Sequence, residues 1–140
     1  MTNKFYPFDK RLEHRALGSA AITAETVLAT ITERAAQRTM YLTKVNVEAV
    51  KKTANNEAYT VVVEVSNDDF ATREVAAILS LGAAEVRQST APDTKVGDEY
   101  DIHWTTEVNG IKYEKSRIKM FTAGTTPSIT VGCWSTIATG

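Results

Sequence analysis

Tyr100-Asp101-Ile102-His103-Trp104-Thr105-Thr106-Glu107-Val108, then Asn109-Gly110, then Ile111-Lys112-Tyr113, decides the fold of this chain. Asn-Gly between two alternating arms predicts a type I′ hairpin, because both turn positions need positive φ and both residues tolerate it. Counting outward sets Val108 opposite Ile111, Glu107 opposite Lys112, Thr106 opposite Tyr113 and Trp104 opposite Lys115. Glu107 and Lys112 then form a cross-strand charge pair worth at most ~1 kcal/mol. Ile102, Trp104, Val108, Ile111 and Tyr113 are expected on the inner face, with His103 outward. Beyond Tyr113 the apolar residues Ile118 and Met120 fall on even positions, and a period of two cannot keep both sets inside. Either a bulge between Glu114 and Arg117 restores the phase or the strand changes its partner sheet.

The rest of the chain alternates in the same way. In Met40 to Lys51, Tyr41, Val45, Val47 and Ala49 share one face, with Lys44, Asn46 and Glu48 on the other. In Tyr59 to Val65 the inner set is Tyr59, Val61, Val63 and Val65. The short loop between them, with Asn55-Asn56 suited to positive φ, predicts that these two strands form an antiparallel hairpin. Ser66 to Asp69 is a turn after which Phe70 is expected to tuck back as a plug. Ala20 to Thr32 is dense in β-branched residues, which favours strand over helix; Glu33 to Gln37 is expected as a polar connection. Arg73 to Leu81 fits helical or strand spacing, and Gly82 ends it in either case. Gln88 to Gly97 is a polar loop. Gly124 and Pro127 shape the loop before a last strand carrying Ile129, Val131 and Cys133.

The bulk properties bound the function. The 140 residues, 43% apolar and 24% charged with a net charge of −1, suit one globular domain. A near-neutral chain has no field to attract nucleic acid or an anionic membrane. No apolar run is long enough to span a bilayer, and no signal-peptide pattern opens the chain. Cys133 is the single cysteine, so no intrachain disulfide forms. His14 and His103 stand in no ligand-spaced motif, Asp68-Asp69 lacks the spacing of a calcium loop, and no nucleophile elbow or phosphate-binding glycine loop is present. No catalytic residue, metal or cofactor is therefore expected. Lys115, Arg117 and Lys119 would share one face of a strand, where edge protection or contact with an acidic surface are both open.

Residues 1–19 read as an extended N-terminal arm, and 20–140 as a single β-sandwich domain. Pro7 keeps Phe5-Tyr6-Pro7-Phe8 extended, while Lys10 to Leu17 fits a short helix capped by Asp9 and stopped by Gly18. Three aromatics on one segment need cover, either from this chain or from another. Phe5, Tyr6, Phe8, Arg11 and Arg15 are the candidate protein-interface residues. Asn109, Gly110, Gly124 and Pro127 are the structural turn residues.

The order of these features carries a resemblance. The valine-rich strand running into Ser66-Asn67-Asp68-Asp69-Phe70, then Leu81-Gly82-Ala83-Ala84, Gly97, Tyr100, the Asn109-Gly110 hairpin with Tyr113 and Arg117, and Ala123-Gly124-Thr125-Thr126-Pro127-Ser128-Ile129 resemble the capsid cement (decoration) proteins of tailed bacteriophages, of the Bordetella-phage cement type. The resemblance spans Met40 to Ile137. It implies an all-β, antiparallel, jelly-roll-like sandwich and self-association as a dimer or trimer. It also implies binding to the major capsid protein on the outside of an assembled head, after synthesis in the bacterial host cytoplasm. Two other readings stand beside it. One is a tail-tube or head–tail joining component of a phage particle. The other is a carbohydrate-binding sandwich using Trp104, Trp134 and Tyr100 as a sugar platform.

Overall fold

The computed structural model describes residues 12–87 and 91–137. Its strands are β1 (Glu13–Arg15), β2 (Thr26–Gln37), β3 (Met40–Val50), β4 (Ala58–Ser66), β5 (Glu74–Gly82), β6 (Glu99–Thr105), β7 (Glu107–Val108), β8 (Ile111–Ala123) and β9 (Ile129–Ile137). They form two antiparallel sheets, one ordered β1-β9-β3-β6 and the other β2-β8-β4-β5, with β7 paired to the start of β8. The fold is an all-β sandwich. The inward residues of the first sheet are Tyr41, Val45, Val47, Ile102, Trp104, Val131 and Cys133. They meet Leu28, Tyr59, Val61, Val63, Leu81, Ile118 and Met120 of the second. Each large aliphatic side chain so buried contributes ~1.5–3 kcal/mol against the entropy of ordering the chain. Tyr41 and Trp104, directly opposite on β3 and β6, stack with ring centroids 4.6 Å apart.

Several expectations fail on strand partners. β3 and β4 do not form a hairpin: β3 pairs with β6 and β9, and β4 with β5 and β8. The loop between them crosses from one sheet to the other. Two strands with odd residues inward are equally satisfied side by side or face to face, and here they face each other. The crossing is held by the Tyr59 hydroxyl, which lies 2.7 Å from Lys51 O and accepts the Ser128 N–H at 2.9 Å. Asn55 has φ 59°, as its composition suggested.

The Asn109-Gly110 turn forms as expected, with φ of 53° and 80°, and sets Glu107 opposite Lys112 and Val108 opposite Ile111. The ladder then stops short. Trp104 pairs with Tyr41, and Lys115 pairs with Thr32 and Ser66, so Trp104 and Lys115 belong to different sheets. Thr106 makes the split: its N–H donates to Thr39 O at 3.0 Å and its hydroxyl to Gln37 O at 2.5 Å. These bonds draw the first arm into the four-stranded sheet. Ile111 is consequently exposed and Val108 half-buried, not inward. The Glu107 carboxylate turns to Arg38 at 3.3 Å. The phase slip along β8 is real: Tyr113 is buried, then Ser116, Ile118 and Met120. The register irregularity lies across the ladder, in β2 between Thr32 and Gln37, where β8 exchanges the β7 pairing for β4.

Other boundaries move too. β2 begins at Thr26 and runs through Gln37, so Glu33 to Gln37 is strand. Ile22 is nevertheless buried, bridging to Ile129. Glu74–Gly82 is a strand whose Leu79 lies opposite Val61. Glu13–Arg15 is a strand on β9, so the short helix over Lys10 to Leu17 does not form there.

Candidate functional site

From Ser116 to Met120 the even-numbered residues of β8 face the core, which sends Lys115, Arg117, Lys119 and Phe121 to the outer face of the five-stranded sheet, as the basic run suggested. Glu64 stands opposite Arg117 on β4. Its carboxylate takes Arg117 Nε at 2.8 Å on one oxygen and Arg73 Nε at 3.1 Å on the other. Glu64 is only 5% exposed. A carboxylate withdrawn from water in this way requires such partners. The Arg117 guanidinium lies over the Phe70 ring, 4.3 Å from its centroid. Lys119 repeats the arrangement, 2.7 Å from the Glu25 carboxylate and 4.8 Å from the Phe121 centroid. Lys115 reaches Asp69 at 2.9 Å. Around these groups Val27, Val75 and Ile78 are exposed, between 47% and 57%.

Phe70 is placed by the turn after β4 and is half-buried on this outer face, not plugged into the core. Asp69 and Phe70 both take positive φ, 56° and 68°. Ser66 Oγ holds the turn, accepting the N–H groups of Asp68 and Phe70 at 3.1 and 2.9 Å. The Asp68 carboxylate accepts from the Thr72 hydroxyl at 2.6 Å and the Thr72 N–H at 2.9 Å. These bonds to Thr72, with a smaller one from Ser66, hold Asp68 well below the usual carboxylate range, at about 2. The strain of two successive left-handed residues is thus offset by four local bonds, and it sets the ring beneath Arg117.

Two of the predicted turn residues, Gly124 and Pro127, sit at the opposite end, after β8; Asn109 and Gly110 stand before its first residue, at the end nearer Phe70. Gly124 has φ 111°, and a Cβ there would lie 2.6 Å from Asn56 O. Asn56 also accepts the Thr125 N–H at 3.1 Å, tying this loop to the β3–β4 crossing. Pro127 is half-buried next to Ser128. Of the candidate interface residues, Phe5, Tyr6, Phe8 and Arg11 lie outside the described residues. Arg15 is on β1, with its guanidinium against the Ala20 carbonyl of the same chain.

A hydroxyl chain crosses the four-stranded sheet, and sequence spacing gave no sign of it. Trp104 Nε1–H donates to Thr43 Oγ1 at 2.8 Å, the Thr43 and Ser135 hydroxyls are 2.7 Å apart, and Ser135 Oγ is 2.7 Å from His14 Nε2. Since the indole can only donate, every proton finds an acceptor when Thr43 donates to Ser135 and Ser135 to a neutral His14. Burial pushes the His14 imidazole down from 6.5 to about 4. Ser135 and His14 have the spacing of a nucleophile and base, but Ser135 is 2% exposed and admits no substrate. Cys133 is likewise buried, its thiol pushed up to about 12 by desolvation. Among the described residues no group of three or more His, Cys, Asp or Glu side chains is placed to hold a metal, and no helix is long and apolar enough to cross a membrane.

The His14 arrangement sets a pH dependence. Between about 6.5 and 4 the unfolded chain binds a proton at His14 that the folded chain refuses. Stability contributed there is complete above the unfolded pKa, declines as pH falls through this window, and loses nothing further below it. His14 is only partly buried, which discounts the effect to about 1–2 kcal/mol. Urea unfolding at pH 7 and 4.5 should show that loss in the wild type and a smaller one in His14→Gln. Equal losses in the two proteins would contradict the buried neutral imidazole.

Compared with known proteins, the chain matches no family model, no curated protein and no solved structure.

Proposed function

We propose that this chain is a structural protein of a bacteriophage particle that binds the outside of the assembled head through the major capsid protein and cements the shell. The observation that carries this reading is the outer face of the five-stranded sheet. Arg117 and Lys119 are laid flat on Phe70 and Phe121 and held by Glu64 and Glu25, amid exposed Val27, Val75 and Ile78. Side chains already ordered lose little entropy on docking, and arginine beside aromatic and aliphatic surface is the composition of binding hot spots. The resemblance in turn order to capsid cement proteins supports the same reading. The alternation of the strands between β1-β9-β3-β6 and β2-β8-β4-β5 is compatible with the jelly-roll-like arrangement that this reading implies. A shell repeats one site many times, so modest contacts from an oligomer add through effective concentration. Binding the closed lattice but not free subunits stabilises the lattice by mass action. Such a protein works at the virion surface after synthesis in the host cytoplasm, with no cofactor and no nucleic-acid or membrane contact.

The glycan-platform reading loses its central residue, because Trp104 is buried against Tyr41. The cement reading is tested by adding purified protein to expanded heads assembled without it. Saturable co-sedimentation and a raised disruption temperature are expected. Val75→Ser with Ile78→Ser, both exposed and leaving the Glu64–Arg117 pair intact, should lose about 2 kcal/mol or more of binding, roughly thirtyfold in affinity, with unchanged circular dichroism. Equal binding to unassembled coat subunits, or absence of the protein from purified virions, overturns the proposal.

A further inference from the structure

Two guanidinium groups meet on the Glu64 carboxylate, and each spends only its Nε–H there. Arg117 donates to one oxygen at 2.8 Å and Arg73 to the other at 3.1 Å. A guanidinium carries further donors on its two Nη atoms, set in a planar fork. Those of Arg73 and Arg117 make no hydrogen bond among the described residues. Phe70 covers one face of the Arg117 group and leaves its edge open. No Arg117 nitrogen is both buried and unbonded, so its Nη groups reach solvent. The Arg73 side chain is 48% exposed, while Glu64 lies beneath. The anion is thus on the inside of the cluster and the unused donors are on the outside. Their positions are fixed by the turn after β4, which Arg73 directly follows. Thr72 O accepts from Ser66 Oγ at 2.6 Å. Asn67 ties the same turn to β8, its Nδ2 donating to Lys112 O at 3.0 Å and its Oδ1 accepting the Glu114 N–H at 2.9 Å. Both forks are therefore in place before a partner arrives, and docking costs little side-chain entropy.

Charge narrows the partner. Two guanidinium groups on one carboxylate leave one positive charge uncompensated. The neighbouring cations are matched, Lys119 by Glu25 at 2.7 Å and Lys115 by Asp69 at 2.9 Å. Glu74, next to Arg73, stands opposite Val65 and so belongs to the other face of the sheet. Exposed Val75, opposite Glu64 on β5, and exposed Ile78, opposite Val62, border the forks. The complement of this surface carries a single negative charge and planar acceptor oxygens beside apolar bulk. A side-chain carboxylate next to an aliphatic or aromatic residue has those properties. A nucleic-acid backbone would bring many charges to a face with one to spare. We propose that the outward edges of Arg73 and Arg117 grip one carboxylate of the capsid protein, an Asp or Glu standing beside an apolar side chain that packs on Val75 and Ile78. This rests on the reading of the chain as a head-binding protein and names the chemistry it recognises.

The test uses the full chain and expanded heads assembled without it. Arg73→Gln, which keeps the Glu64–Arg117 pair, should leave circular dichroism unchanged and weaken binding about tenfold or more. It should also flatten the dependence of binding on salt, because a charge contact is gone. Arg73→Lys should not restore affinity, since an ammonium keeps the charge but lacks the fork. Val75→Ser with Ile78→Ser should weaken binding with the salt dependence retained. Capping the carboxylates of the heads with an uncharged amine, by carbodiimide coupling, should abolish the difference between wild type and Arg73→Gln. Affinity that Arg73→Gln leaves unchanged overturns the proposal while head binding stands. Full recovery in Arg73→Lys overturns it too, as does a loss that persists undiminished on capped heads. A wild type that does not bind heads at all overturns this inference together with the function on which it rests.

Discussion

Gly82→Ala will cost this protein about 3–5 kcal/mol, the sum of left-handed strain and overpacking. Gly82 ends β5 with φ 119°, and a Cβ there would lie 2.3 Å from Glu57 O and 3.0 Å from Ala58 Cα. Both are backbone atoms, so no side chain can swing aside. Nor can the backbone slide freely. Glu57 O accepts the Ala83 N–H at 3.0 Å, the Gly82 N–H donates to Thr94 Oγ1 at 2.9 Å, and Gly82 O accepts the Thr94 N–H at 2.9 Å. Shifting any of them leaves a buried polar group unpaired. Gly18 is the control: its φ is 82°, but nothing lies within 4 Å of the added carbon, so Gly18→Ala should cost only about 1 kcal/mol of strain. Urea midpoints of the two variants compare them directly. Equal losses would show that the Glu57 carbonyl yields.

Trp104→Ala should be comparably severe, at about 3–5 kcal/mol for removing a buried aromatic. The ring is 4% exposed, stacks on Tyr41, and its N–H heads the Thr43–Ser135–His14 chain. Trp104→Phe separates the two contributions: it keeps most of the packing and loses one hydrogen bond, about 1 kcal/mol. In a Trp134→Phe background, Trp104 emission should be blue-shifted and resistant to iodide. Ready quenching would place the indole outside and contradict the inner face of β6.

Which faces turn inward was legible in the residues. Val61, Val63, Ile102, Trp104, Tyr113 and Val131 are all buried as their alternation required, and His103 is exposed. The Asn109-Gly110 turn followed from the conformations its residues tolerate. Lys115, Arg117 and Lys119 lie on one outer face for the same reason of period. What pairs with them was not legible. Glu64 meets Arg117 across 53 positions, and His14 meets Ser135 across 121. No local spacing encodes such contacts.

The partner of each strand belongs to the same class. By itself, the sequence determined that this chain is a set of alternating strands with specified turns and a specified inner face, because side-chain period and φ preference are properties of a few adjacent residues. Only the tertiary structure decided that β3 and β4 face each other across the core instead of lying side by side, and that the Asn-Gly hairpin opens at Thr106. It alone brought Phe70 beneath Arg117. Those outcomes depend on which of several equally apolar faces and equally competent backbone edges meet when the two sheets close, and that choice is made by all the strands together.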